Sequence, residues 1–225
     1  MSRNVVIAPG EFYHIYNRGT EKRKIFLNSR DHERFLALLY LANGESKVDI
    51  KRQGRTLSEL LMQDRGKRLV DICAYCLMPN HFHLIIKELE DGGISKFMQK
   101  LITGYTMYFN KVHERNGALF QGKFKSEHAA EDNYLNYLIA YVHLNPIKII
   151  DPAWKESGIR NRKNAEKFLD SYGYSSFADY CGHDRMEKAI LSLDALPAYT
   201  STPKDFRSSI VEWLDGQGRT LSNGI

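Results

Sequence analysis

The sequence predicts an α+β fold in which an antiparallel sheet carries two helices on one face. Two observations predict it. Segments with apolar residues at every second position alternate with segments where they recur every third or fourth. Two consecutive strand-like runs, "RLVDICAYCLM" and "HFHLIIKEL", are separated only by Pro79-Asn80, a turn pair that makes them a hairpin.

The elements follow in order. "EFYHIYNRG" (11–19) alternates apolar or aromatic with polar residues and ends in a turn, so it reads as a strand. "NSRDHERFLALLYLANG" (28–44) opens on Asn28 or Ser29 as cap and closes on Asn43-Gly44, a helix. Residues 45–68 are polar and basic and read as an insertion, with "SELLMQ" as a short helix. The hairpin strands are 68–78 and 81–89. After Asp91-Gly92-Gly93 comes a second helix, whose stripe is Phe97, Leu101, Tyr105, Tyr108 and Val112 and whose stop is Asn116-Gly117. "ALFQGKFKSEHA" (118–129) reads as a strand with a bulge at its glycine, and "EDNYLNYLIAYVHLN" (131–145) as a helix ended by Pro146. The first six elements are βαββαβ, the ferredoxin-like split pattern, with the strand at 81–89 in the middle of the sheet. A further helix follows. Residues 1–150 form the predicted domain, and 151–225 an irregular, partly helical extension packed on it or trailing it.

Composition narrows the class. At 43% hydrophobic and 26% charged residues, the 225-residue chain suits a globular protein. No apolar run spans a bilayer and the first residues lack a signal-peptide core, so the expected setting is cytoplasmic, with no membrane partner. Three cysteines cannot form a disulfide framework, and Cys73 and Cys76 read as core residues. Net charge is +5. Residues 96–126 alone carry six cations against the single acid Glu114, interleaved with Tyr105, Tyr108, Phe109, Phe120 and Phe124. Cations for phosphates and rings for bases suit single-stranded nucleic acid; a solvated helix face over a core aromatic stripe fits the same residues.

The specific signal is "HFHLII". In a strand, His81, His83 and Ile85 share one face and Phe82, Leu84 and Ile86 the other. The apolar set should meet the helices, leaving two imidazoles side by side on the open face, able to chelate one divalent metal. The next helix adds Tyr134, Tyr137 and Tyr141 on one stripe, with Asn145 one turn beyond Tyr141. A metal held by two histidines and a carboxamide would polarise a phosphate that a tyrosine could attack. Each of the three also fits as a rim-packed ring, but only Tyr141 has a carboxamide four residues on, so one helix end can present both nucleophile and metal ligand.

"YHIYNRG", "LMPNHFHLII", "YTMYFNKVHERNGALFQGKFKS", "YVHLNP" and "YSSFADYCG" together resemble the REP-associated tyrosine transposases, single-tyrosine members of the HUH nuclease superfamily. The likeness runs from about residue 11 to 182. It implies that His81 and His83 bind a divalent metal, Mg²⁺ or Mn²⁺, that Asn145 completes the site, and that Tyr141 is the nucleophile. The substrate it implies is single-stranded DNA beside a hairpin, typically a palindromic repeat, cleaved and joined through a covalent 5′-phosphotyrosine. The cations expected on DNA are Arg18, Lys111, Arg115, Lys123 and Lys125. The protein would act as a monomer or a homodimer, with Tyr141 facing its own histidines or a partner's. Two rivals remain at this level: a non-catalytic nucleic-acid-binding module on the same fold, and a small metallohydrolase acting on a soluble phosphate ester.

Overall fold

The computed structural model describes residues 7–46, 48, 56–196 and 202–215. Four strands, β1 (Phe12–Arg18), β2 (Val70–Met78), β3 (His81–Glu88) and β4 (Lys125–His128), form one sheet in the order β2-β3-β1-β4. Every pairing in it is antiparallel. With α1 (Ser29–Leu41) after β1 and α3 (Gly93–Val112) after β3, this is the expected βαββαβ arrangement, and β3 lies inside the sheet. A short helix, α2 (Leu57–Leu61), occupies the insertion and is started by a capping box between Thr56 and Glu59. The cations Lys47, Lys51, Arg52 and Arg55 of that insertion lie outside the described residues.

Register decides what shares a face. Tyr16 pairs with both His83 and Lys125, Arg18 with His81, His14 with Ile85 and Glu127, and Cys76 with His83. These residues therefore stand on one side of the sheet. Phe82, Leu84 and Ile86 stand on the other and are fully buried. There Phe82 meets Phe35 of α1, and Phe35 meets Tyr105 of α3. Asn28 is the cap of α1, accepting from the Asp31 amide at 3.1 Å. Cys73 and Cys76 are buried free thiols, as expected of core residues.

Four expectations change. The buried stripe of α3 runs Phe97, Leu101, Tyr105, Phe109; Tyr108 turns instead to bond Asp31, and Val112 is exposed. A strict i, i+4 stripe continues to 109, and the sequence offered aromatics at both 108 and 109. The fourth strand is only four residues, because Gly122 adopts a left-handed φ of 71° that interrupts the extended run, and Asn17 donates to its carbonyl. The histidine face is not open: α4 (Asp132–Leu144) packs across it, bringing the Tyr141 ring against His14 and His83.

Finally, where an irregular, partly helical extension was expected, the described residues beyond 150 include α5 (Trp154–Ser157), α6 (Arg162–Ser171), α7 (Phe177–Tyr180) and α8 (Pro203–Glu212). The segment at 174–176 runs along β2, with the Leu77 amide donating to the Tyr174 carbonyl and the Ser176 amide to the Tyr75 carbonyl. An otherwise bare sheet edge is thereby covered. Buried His143 of α4 ties the extension down. Its Nδ1–H donates to the Ile139 carbonyl at 2.8 Å, its Nε2 accepts from the Ser176 hydroxyl at 2.8 Å, and Phe206 and Tyr180 meet its ring edge-on. Among the described residues, no helix is long and apolar enough to cross a membrane.

Candidate active site

β3 enters the site directly from the Pro79-Asn80 turn. His81 is half-buried and His83 is 5% exposed. Asn80 Nδ2 donates to the Lys22 carbonyl, which turns Asn80 Oδ1 toward His81 Nδ1, 2.6 Å away. An oxygen there only accepts, so His81 carries its proton on Nδ1 and leaves Nε2 with a lone pair. His83 Nδ1 is likewise engaged, 2.9 Å from His14 Nε2. The two imidazole rings stand at right angles with centroids 5.0 Å apart.

Electrostatics keeps both rings neutral. Burial pushes the His81 pKa down to about 4, aided by the charges of Arg18 and Lys148 and opposed by Asn145. Burial also lowers the His83 pKa well below its ordinary value, with His14, His81, Lys148 and Lys155 adding to it. A neutral imidazole is the form that ligates a metal.

α4 supplies the rest. Tyr134, Tyr137 and Tyr141 line one stripe, with adjacent ring centroids 6.1 and 6.0 Å apart. They fare differently. Tyr134 donates to Glu127 at 3.3 Å, Tyr137 packs on Trp213, and only Tyr141 reaches the histidines, its ring 5.3 Å from His83. The contact is made within one chain. Burial raises the Tyr141 pKa, and the neighbouring Asn145 carboxamide partly offsets it. Asn145 is fully buried where α4 tightens into a 3₁₀ turn (Asn145–Ile149). Its Nδ2 makes a long 3.5 Å bond back to the Tyr141 carbonyl, and among the described residues its Oδ1 has no hydrogen-bond partner. Native structures rarely leave a buried carbonyl orphaned without a functional reason.

A divalent metal could be held by His81 Nε2, His83 Nε2 and Asn145 Oδ1. Two lone-pair nitrogens and an unsatisfied oxygen fit such an ion. Among the described residues no trio drawn from His, Cys, Asp and Glu could do so.

The family model of IS200-like transposases matches residues 12–145, a segment that contains all four strands, both histidines, Tyr141 and Asn145. The chain belongs to the IS200-like transposase family. In fold, this transposase-family chain is similar to a solved REP-associated tyrosine transposase bound to a REP hairpin. The TM-score is 0.50 at 11% identity, covering 83% of this chain and 90% of that one. At that identity the likeness establishes the fold. No curated protein matches the sequence.

The cations expected on DNA separate in space. Arg18 pairs with His81, and Lys125 lies on the same face with its ammonium 5.9 Å from the Tyr16 ring centroid; Lys123 is exposed just before it. Lys111 sits on α3, beyond the sheet's other face. Arg115 is half-buried, bonding Asn110 and lying over Phe109. Lys100 is also used internally, on the carbonyls of Gly44 and Ser46. Tyr105, Phe109 and Phe120 are core residues, so bases cannot stack on them.

Sequence reasoning missed four side chains that the fold brings to the site. His14 and Glu127 come from β1 and β4; their alternation with Tyr16 and with Lys125 was a readable signal of a shared face. Lys148 follows Asn145 on the 3₁₀ turn. Lys155 arrives from α5, its ammonium 3.8 Å from the centre of the Tyr141 ring. Burial, then the charge of Lys148, pushes the Lys155 pKa down to about 8.

Proposed function

We propose that the chain cleaves and rejoins single-stranded DNA beside a foldback hairpin, through a covalent 5′-phosphotyrosine on Tyr141. One observation carries this reading: the Tyr141 ring lies against His83 and one helical turn before the orphaned oxygen of Asn145, all on one buried face. The hairpin preference is drawn from the solved relative, which is bound to one.

In this reading Tyr141 Oη attacks the scissile phosphorus, the P–O3′ bond breaks, the phenolic proton is lost and the departing 3′-oxygen takes one up. The product keeps a phosphodiester bond, so attack by a 3′-hydroxyl reverses the step without a nucleotide cofactor. Burial makes Tyr141 a reluctant phenolate. The ammonium of Lys155 over its ring favours the ionised form and can also face the phosphate. Arg18 and Lys148 add positive charge beside His81, where the phosphate would lie. Magnesium or manganese, held by His81, His83 and Asn145, would supply Lewis-acid polarisation of the phosphate. Residues 1–150 form the catalytic unit, and 151–225 are an extension that contributes Lys155 to it. A single chain assembles the whole site.

The test uses a panel of single-stranded DNAs, each with a foldback hairpin and a flank, incubated with the protein and Mn²⁺. The expected product is a protein–DNA adduct that survives denaturation, together with a free 3′-hydroxyl fragment. Hairpin binding without adduct or nick, across the panel and with added Mn²⁺ or Mg²⁺, contradicts the proposal and favours a non-catalytic binding module.

A further inference from the structure

We infer that Glu127 and His14 form a positioning chain that fixes the proton of His83 on Nδ1 and so holds its Nε2 open toward the metal. The inference rests on the metal site of the proposed function. Glu127 of β4 pairs with His14 of β1, and His83 of β3 lies on the diagonal from His14, two residues from its partner Ile85, with all three on the same face of the sheet. Glu127 Oε2 is 3.5 Å from His14 Nδ1, an electrostatic contact longer than a good hydrogen bond that leaves Nδ1 without a hydrogen-bond partner among the described residues, and His14 Nε2 is 2.9 Å from His83 Nδ1. The two imidazoles stack with centroids 5.1 Å apart. His14 is 4% exposed, so water does not set its protonation pattern.

The direction of the chain follows from donor and acceptor chemistry. An ionised carboxylate only accepts, so it favours the His14 tautomer with its proton on Nδ1. His14 Nε2 is then an acceptor. The facing His83 Nδ1 must carry a hydrogen and donate it, which leaves the His83 Nε2 lone pair free. His81 reaches the same tautomer independently through Asn80. Two phenols hold Glu127 in place, the Tyr16 hydroxyl donating to its Oε1 at 2.7 Å and the Tyr134 hydroxyl to its Oε2 at 3.3 Å. This gives the hydroxyl of Tyr134 a role that is not nucleophilic. Metal-ligating histidines generally donate their second ring N–H to an orienting acceptor. Here that acceptor is another imidazole, itself oriented by a carboxylate.

Glu127→Gln tests the chain with little change in shape. Tyr16 keeps the amide oxygen at the Oε1 place, which puts the NH₂ toward His14 Nδ1. His14 must then accept at Nδ1 and carry its proton on Nε2, forcing His83 into the Nε2–H form that cannot ligate. The experiment reads histidine tautomers by nitrogen-15 NMR on metal-free, histidine-labelled protein, and Mn²⁺ affinity by calorimetry without DNA. The wild type should show His83 protonated on Nδ1. Glu127→Gln should shift it to Nε2 and weaken Mn²⁺ binding about 10–100-fold. His14→Phe, which removes the acceptor facing His83 Nδ1, serves as second variant should the first fold poorly, with the same loss of affinity expected. An Nε2-protonated His83 in the wild type, or unchanged Mn²⁺ affinity in folded Glu127→Gln, overturns the inference. Neither readout involves DNA, so a wild type that binds Mn²⁺ with the expected tautomer but never cleaves contradicts the proposed reaction and leaves the positioning chain supported.

Discussion

Replacing Asn145 with leucine should make the metal-free protein more stable and catalytically dead. Asn145 is completely buried, its Oδ1 has no hydrogen-bond partner among the described residues, and its Nδ2 makes a long bond to the Tyr141 carbonyl. An orphaned buried acceptor costs about 1–3 kcal/mol, while a bond at that length returns little. Leucine has nearly the same branched shape and accepts the helical backbone at this position, φ −55° and ψ −37°. The expected net gain is about 1–2 kcal/mol. In a chain of this length that raises Tm by about 2–8 °C. Metal reverses the order. Mn²⁺ at a hundred times its dissociation constant stabilises the wild type by about 2.7 kcal/mol, and the variant, lacking the third ligand, should gain much less. Scanning calorimetry in EDTA and in Mn²⁺ reads both effects. Asn145→Leu melting below the wild type in EDTA would refute this, because the carboxamide would then be a structural group. An equal rise of both proteins in Mn²⁺ would refute it too.

Three further outcomes follow. His143 is fully buried and its pKa is lowered by burial to about 4, so between pH 6.5 and 4 the unfolded chain holds more protons than the folded one. Stability should therefore fall as pH drops through that window, by up to about 3 kcal/mol from this group; His143→Gln should flatten that limb in pH-dependent urea melts. Hairpin affinity should fall with salt at a log–log slope of roughly −3 to −4, set by about four to six neutralised phosphates at about −0.7 each; a flat response argues against phosphate contacts. Lys155→Met keeps the apolar stem but removes the charge over Tyr141. It should slow adduct formation by about thirtyfold, the worth of a desolvated cation–π contact of about 2 kcal/mol, while changing the salt slope by no more than about one phosphate.

The sheet was readable because its determinants are local. A Pro-Asn turn between two apolar runs admits only a hairpin, and period-two alternation placed His81 and His83 together opposite Phe82. The tyrosine stripe of α4 was readable for the same reason, since helical spacing is geometry. Tyr141 was singled out by its spacing to Asn145, but the contacts of the three tyrosines were not readable, because they depend on where α4 crosses the sheet. That crossing puts Tyr134 over Glu127, Tyr137 against Trp213 and Tyr141 over the histidines. Charge runs misled most. Lys100 and Arg115 count as cations in the sequence but are spent on carbonyls and an asparagine, whereas Lys155, in a stretch with no strong pattern, lands on the candidate nucleophile. The helices beyond residue 150 escaped because they are short and bury few residues each: α6 buries only Ala165 and Leu169. His14 reads as one more polar residue in a strand until the register sets it opposite Glu127 and its ring nitrogen meets His83 on the diagonal.

Whether Tyr141 becomes covalently joined to DNA is decided by peptide mapping of the trapped adduct. The adduct formed in Mn²⁺ is digested and the DNA-linked peptide sequenced, in parallel with Tyr141→Phe, Tyr137→Phe and Tyr134→Phe. The expected result is a DNA-linked peptide containing Tyr141 and no adduct from Tyr141→Phe, which still binds the hairpin. Tyr137→Phe should form adduct within about tenfold of wild type, since removing one hydroxyl contact costs on the order of 1 kcal/mol. Tyr134→Phe should do the same, as Glu127 keeps the Tyr16 hydroxyl. A DNA-linked peptide carrying Tyr105, which is buried on the opposite side of the sheet, would overturn the assignment of the nucleophile, and so would an undiminished adduct from Tyr141→Phe.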